Sequence, residues 1–289
     1  MQNPILFAID IDGTLLNSRR TIDERTWTAI QDAMQSGHYV CLATGRMAPS
    51  ALRWARFLKT NAPLVALNGA DIVDLQTGES IHQSGLSLEA LRRVTAQLED
   101  MQIPCQCHGH QQVVDTRSNP QDAGLLAVPG SIPHVHVPSL LEYLQRPEEP
   151  VLKLVVQCPD KAIFQSLYEE WNASSDWSIS RGENLQLNLN AHGVSKFSGI
   201  YRLLPRLRVR LENVVAIGNG ENDREMIFRA GAGFAMENSD SYLLEHHPAR
   251  TLSNDEGGVA HVLRRYVSET HSRGFTKTLE TLYRNSVKA

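Results

Sequence analysis

Two aspartates one residue apart, Asp10 and Asp12, follow the apolar run from Ile5 to Ile9 in a chain of 289 residues. In extended backbone, residues 10 and 12 point to the same side. One carboxylate can then attack phosphorus while the other handles the proton of the leaving group, an acid–base role worth roughly 10²- to 10⁴-fold. Gly13 lets the chain turn sharply after them, and Thr14 can brace the turn. Thr44, Asn68, Asn219, Asn222 and Asp223 stand at the ends of other apolar runs, and Lys196 opens a helix after Gly193-Val-Ser. Carboxylates, amides, a hydroxyl and one lysine suit a hard divalent cation held by oxygen, such as Mg²⁺, and a phosphoryl group held by hydrogen-bond donors.

Such residues act together only if strands deliver them to one edge. Continuous apolarity over 5–9 predicts a strand buried on both faces, as in a parallel sheet. Thr21-Ile-Asp-Glu24 reads as a capping box, Trp27, Ile30 and Met34 as the core stripe of the helix, and Gly37 as its stop. A strand over 39–43 ends at Thr44-Gly45-Arg46, a helix follows over 49–59, and a strand over 64–67 ends at Asn68-Gly69. The alternation returns with a strand over 214–217 that ends at Gly218-Asn-Gly-Glu-Asn-Asp223. A helix through Met226 and Ile227 comes next, then short strands near 233–236 and 250–252. This rhythm predicts a doubly wound, mostly parallel α/β core from residues 1–81 and 189–289, a fold that keeps its chemistry at the carboxyl ends of its strands. Residues 82–188 read as an inserted α+β domain, with helices over 88–101 and 162–171, an alternating strand over 152–157 and a hairpin about Arg181-Gly-Glu-Asn184.

Twenty-eight basic residues against 32 acidic ones leave a net charge of −4, with no basic stripe to neutralise a run of phosphates. Nucleic acid is therefore not an expected partner, whereas a small phosphorylated metabolite needs only one or two well-placed cations. No stretch reaches the roughly 18 apolar residues of a membrane span. The opening segment carries no leader pattern, and Cys41, Cys105, Cys107 and Cys158 do not form a disulfide framework. The expectation is a cytoplasmic protein, a monomer or weak homo-oligomer. Cys105, Cys107, His108 and His110 invite zinc, but a strand would place 105 and 107 opposite 108 and 110, so a hairpin is the better reading. Gly218-x-Gly-x-x-Asp223 lacks the third glycine of a dinucleotide fingerprint.

The segments Asp10-Ile-Asp-Gly-Thr-Leu15, Thr44-Gly-Arg46, Asn68-Gly-Ala70, Gly193-Val-Ser-Lys196, Gly218-Asn-Gly-Glu-Asn-Asp223, Ala235-Met-Glu-Asn238 and Asn254-Asp-Glu-Gly-Gly-Val259 resemble, in order, the motifs of the haloacid dehalogenase superfamily. Within it they look like the Cof-like phosphatases with a large type-two cap. The resemblance covers both ends of the chain and implies a role for each residue. Asp10 would be the nucleophile that becomes an aspartyl-phosphate, and Asp12 the acid that protonates the alcohol and then activates water. Asp10, the Asp12 carbonyl and Asn219 would hold Mg²⁺, with Asp223 supporting its water shell. Thr44, Lys196 and Asn222 would bind the phosphate in a loop shaped by Gly45 and Arg46. The insert would read the rest of a small phosphoester, such as a sugar phosphate.

The last motif departs from the family, which has Asp where this chain has Asn219. Losing one charge about 4 Å from a cation forfeits up to about 4 kcal/mol at an effective dielectric near 20, much of it offset by desolvation, so weaker Mg²⁺ binding is expected. Phe197 stands where glycine is common, and Asn188 where an acid is common. The alternative function is a weakened relative that binds phosphorylated metabolites as a sensor. Receiver domains share the Asp, Thr and Lys set, but they are shorter, lack a cap and carry the aspartate on a later strand.

Overall fold

The computed structural model describes residues 3–116, 132–182, 184–247 and 249–270. Its strands in chain order are β1 (Leu6–Ile9), β2 (Tyr39–Leu42), β3 (Leu64–Ala66), β4 (Asp71–Val73), β5 (Ser80–Gln83), β6 (Cys105–His108) and β7 (Val113–Asp115). They continue as β8 (His134–His136), β9 (Lys153–Gln157), β10 (Trp177–Arg181), β11 (Gln186–Ala191), β12 (Val214–Gly218), β13 (Ala232–Met236) and β14 (Arg250–Thr251). The helices are α1 (Glu24–Gln35), α2 (Ala48–Leu58), α3 (Leu88–Asp100), α4 (Leu140–Tyr143) and α5 (Lys161–Asn172), then α6 (Lys196–Leu207), α7 (Arg224–Arg229), α8 (Ser241–His246) and α9 (Gly258–Thr270).

Two compact units result. The first takes in the described residues up to Thr44, Trp54–Val65 and those from Lys196 onward; the second is Gly45–Arg53 with Ala66–Ser195. In the first, a parallel sheet runs β14-β13-β12-β1-β2, and a parallel bridge between Ala43 and Val65 sets β3 beside β2. All of β1 is buried, as its unbroken apolarity predicts. The chain leaves β1 to one side for β2 and β3, then returns to its other side for β12, β13 and β14. The order therefore reverses between β1 and β12, the place where open α/β sheets leave a crevice at their strand ends.

Helix α1 differs from its expected form. Its cap is Asp23, which accepts from the Thr26 N–H at 2.7 Å, while the Thr21 hydroxyl bonds Asn17 instead. An aspartate one residue before the helix satisfies its orphan N–H groups as well as a threonine box does. The buried face is Thr26, Ala29, Ile30 and Ala33, and Trp27 is 42% exposed. The apolar stripe was displaced because small residues, not the tryptophan, let α1 lie close to α9. Gly37 does sit just past the helix, with φ of +85°.

The second unit is built on a sheet of order β10-β11-β9-β6-β7-β8. One face carries Cys105, Cys107, Val114, Leu154, Val156, Leu187 and Leu189 into an apolar cluster with residues of α3, α4 and α5. Alternation sends Gln106, His108, Asp115, Lys153 and Asn188 to the other face. There Gln106 links His108 to Asp115, and Asp115 bonds His136. Cys105 and Cys107 thus part from His108 across β6, and β6 turns back into β7 as the expected hairpin. Among the described residues no group of His, Cys, Asp and Glu side chains is arranged to hold a metal. The β10–β11 hairpin forms as read, although Glu183 at its tip lies outside the described residues.

This unit takes in Gly45–Arg53 as well as Ala66–Ser195, more than the 82–188 of the expected insert. The reason is pairing. β4 and β5 form a hairpin, Ser84 N–H bonds the Ala70 carbonyl, Leu86 N–H bonds that of Val151, and β11 is a strand of the six-stranded sheet. The buried Asp71 of β4 also holds His110 at 2.7 Å and the Ser80 hydroxyl at 2.6 Å. The Asp71 bond raises the His110 pKa above 6.5 against the opposing effect of burial. A raised histidine stabilises the fold below its unfolded pKa, and the gain disappears as pH rises through the folded value. His110→Gln should therefore destabilise the protein more near pH 5.5 than near pH 9, by about 1 kcal/mol, the order of a charge-assisted hydrogen bond. Denaturant melts at the two pH values check this; equal deficits at both would refute it.

Candidate active site

Asp10 is the first residue beyond β1. Its N–H bonds the Ile217 carbonyl of β12 at 3.0 Å, which ties the two strands together at the point where their order reverses. The side chain is buried, and Oδ1 accepts from Lys196 Nζ at 2.6 Å. Lys196, the first residue of α6, is also buried and reaches Asp223 Oδ1 at 2.6 Å. Burial alone would lower the lysine pKa, but the carboxylates of Asp10 and Asp223 outweigh it and hold the ammonium above its ordinary value. Asp10 is pushed up to about 7, by burial first and then by Asp223, with Lys196 opposing. A cation at its free oxygen would draw it back down.

The other Asp223 oxygen accepts the N–H groups of Asn219 and Gly220, each at 2.9 Å. That carboxylate therefore shapes the loop after β12 as well as pairing with Lys196. Asn222 is half-buried in the short turn Glu221–Asp223.

The chain does not stay extended past Asp10. It turns at Ile11–Gly13, leaving Asp12 exposed while Asp10 is buried. The two carboxylates thus occupy different surroundings, rather than the shared strand face expected from their spacing. Gly13 makes the turn with φ of +74°, and a Cβ there would come within 2.5 Å of the Asn219 carboxamide. Asn238 Nδ2 bonds the Gly13 carbonyl at 2.8 Å, and Asn254 Nδ2 bonds that of Leu16 at 2.9 Å. Asn254 N–H in turn bonds Asn238 Oδ1 at 3.0 Å. These amides beyond β13 and β14 hold the loop after β1 in shape. Their motifs were visible in the sequence, but their task was not.

Thr44 follows β2, is buried, and donates its N–H to the Val65 carbonyl at 2.8 Å. Gly45 and Arg46 belong to the second unit, where the Gly45 carbonyl accepts from Lys153 Nζ at 2.8 Å and the Arg46 carbonyl from Leu67 N–H at 2.9 Å. Asn68 lies in that unit too and donates to Asn190. The first unit therefore gathers Asp10, Asp12, Thr44, Lys196, Asn219, Asn222 and Asp223 at the ends of its strands, without Gly45, Arg46 or Asn68.

One terminal atom of the Asn219 carboxamide lies 2.9 Å from the Asp12 carbonyl oxygen, 3.0 Å from Thr14 Oγ1 and 3.3 Å from Asp10 Oδ2. As Oδ1 that atom accepts from the Thr14 hydroxyl; as Nδ2, with the amide turned over, it would donate to the carbonyl and the carboxylate. Three oxygens from separate groups thus converge on one point, the donor set a hard cation takes. Asp10, the Asp12 carbonyl and Asn219 Oδ1 fit Mg²⁺.

Residues 7–263 match the family model of the haloacid dehalogenase-like hydrolases, and the chain belongs to that family. It is similar to two proteins of Bacillus subtilis strain 168, each a 5-amino-6-(5-phospho-D-ribitylamino)uracil phosphatase. YitU is 27% identical over 92% of this chain and 98% of its own; YcsE is 28% identical over 91% and 95%. A haloacid dehalogenase-like hydrolase structure from Bacillus subtilis shares the fold, with a TM-score of 0.79 at 23% identity over 90% of this chain and 98% of that one. The protein is a phosphatase of this family.

Proposed function

We propose that this phosphatase is Mg²⁺-dependent and hydrolyses small phosphomonoesters through an aspartyl-phosphate on Asp10. The observation that carries the reading is the buried Asp10 carboxylate, held by Lys196 where the sheet order reverses, with Asp12 exposed two residues later. The buried group is shielded from water, as a nucleophile should be, and the exposed one can exchange protons with solvent.

An Asp10 oxygen attacks phosphorus and the bond from phosphorus to the substrate alcohol breaks, while Asp12 supplies the proton the alcohol needs. Water then attacks the acyl-phosphate, giving its proton to Asp12; the phosphorus–Asp10 bond breaks and inorganic phosphate leaves. Thr44, Lys196 and Asn222 hold the phosphoryl oxygens. Mg²⁺, held by Asp10, the Asp12 carbonyl and Asn219 and supported by Asp223, would offset charge on the transferring group.

The reading of the leaving group is the part we assign to the second unit. Four buried free cysteines agree with a reducing compartment such as the cytoplasm, and no helix among the described residues is long and apolar enough to cross a membrane.

Phosphate release should be assayed with Mg²⁺ on hexose phosphates, pentitol phosphates and 5-amino-6-(5-phospho-D-ribitylamino)uracil, the compound named for the two relatives. Several substrates should release phosphate, and chelation should stop all of them. Tight binding with no release would make the protein a sensor instead. Release that persists in chelator would remove the metal from the mechanism.

A further inference from the structure

We propose that a basic cavity lined by α1 and α9 is an effector site for a diphosphate group, whose binding slows turnover through the segment that joins β14 to α9. The effect on turnover rests on the hydrolytic reading of Asp10; the binding does not.

The cavity has a volume of about 520 Å³ and belongs wholly to the first unit. That is room for a small organic phosphate. Arg25 of α1 and His261, Arg264 and Arg265 of α9 line it, with Leu252 and Ala260 as its apolar part. Positions 261, 264 and 265 share one face of their helix. Among the described residues the lining sets one carboxylate, Glu256, against three guanidinium groups. That carboxylate is already engaged, accepting from the Ser253 hydroxyl at 2.7 Å and from the Ser253 N–H at 3.3 Å. Like charges gathered around a cavity repel one another and raise the local concentration of anions. Guanidinium forks match phosphate oxygens, and three of them suit two linked phosphates.

The cavity wall is also a brace for the loop after β1. Residues 252–257 join β14 to α9 and supply Leu252, Glu256 and Gly257 to the lining. In the same segment Asn254 Nδ2 bonds the Leu16 carbonyl at 2.9 Å, and Asp255 Oδ1 accepts the Ser18 N–H at 2.8 Å. Arg25 connects the two, because its guanidinium donates to the Asp255 carbonyl and to the Asp23 carboxylate, each at 3.4 Å. Both contacts are long, so a phosphate within reach draws the guanidinium off them. The Asp255 peptide then loses this tie to α1, Asn254 loosens its hold on Leu16, and the loop that starts from Asp10 is held less firmly.

Calorimetry in chelator with methylenediphosphonate, a diphosphate analogue whose bridge does not hydrolyse, reads binding without turnover. Arg264→Gln and Arg25→Gln should each weaken it about tenfold or more, the loss of a charge-assisted bond. Lys196→Met should bind as wild type does. No binding to wild type overturns the proposal. So does affinity that falls in Lys196→Met and survives in both arginine variants, which would put the anion on the lysine of the active site. ADP is the second probe. Tighter binding than methylenediphosphonate makes the ligand a nucleotide that uses Leu252 as well, and binding no tighter makes it a free diphosphate.

Turnover of an aryl phosphate is then measured with Mg²⁺ in excess. Methylenediphosphonate should lower kcat about fivefold in wild type and leave kcat of Arg264→Gln unchanged. A rise in KM alone is competition at the active site and overturns the effector role, as does an unchanged wild-type kcat. If wild type releases no phosphate from any substrate, the hydrolytic reading fails and the calorimetry still decides the site.

Discussion

Asp10→Asn should abolish turnover without weakening the fold. Phosphate release from a generic aryl phosphate is expected to fall by at least roughly 10⁴-fold, the scale of removing an enzyme's nucleophile. An amide of the same shape cannot form the acyl-phosphate. Stability should move the other way, because burial and the Asp223 charge push Asp10 from 3.8 up to about 7. A carboxyl group with a raised folded pKa favours the fold when protonated, and stability is lost as pH rises from its unfolded toward its folded value. At neutral pH in chelator, Asp10→Asn should therefore melt no lower than wild type, whereas near pH 3 the difference should vanish. Inactive and stable is the pattern of a strained functional charge. A variant that melts far lower would mean Asp10 is chiefly structural, and one that keeps its activity would exclude it as nucleophile.

Lys196→Met should fail in the opposite manner, losing stability as well as activity. The lysine is buried and reaches Asp10 and Asp223 at 2.6 Å each. Removing one partner of a buried ionic cluster leaves the remaining charges uncompensated, at a cost of about 3–5 kcal/mol. For a chain of this size that is a fall in melting temperature of roughly 10 °C. The deficit should shrink as pH falls, since protonating Asp10 relieves the repulsion the ammonium had screened. Thermal melts across the acidic range measure it. A deficit independent of pH would point to lost packing of the lysine stem instead. Phosphate release should vanish at every pH, because a methionine offers no charge to a phosphoryl oxygen.

The parallel core was legible because its strands are buried on both faces. Leu6–Ile9 and Val214–Gly218 leave no polar position for a solvated side. Helix ends were less legible. Asp23 took the cap in place of Thr21 because both can accept from the first turn, and local pattern does not choose between them. Trp27 ended half-exposed because the packing of α1 on α9 selected its small residues. The second compact unit took in Gly45–Arg53 and all of Ala66–Ser195, bounds set by tertiary contacts and strand pairing rather than by local pattern.

Residue types and their order were enough to single out Asp10, Asp12, Thr44, Lys196, Asn219, Asn222 and Asp223 as candidates, since a phosphoryl group and a hard cation admit few kinds of partner. The geometry among them needed the folded chain. Only there does Lys196 join two aspartates that lie 186 and 27 residues from it. The turn that separates Asp10 from Asp12 also depends on amides beyond β13 and β14. From composition alone, Asn219 was a missing charge. In space its carboxamide lies among three oxygens brought together by the turn after β1. The turn that follows a buried strand, not the residue type, sets which groups the carboxamide meets.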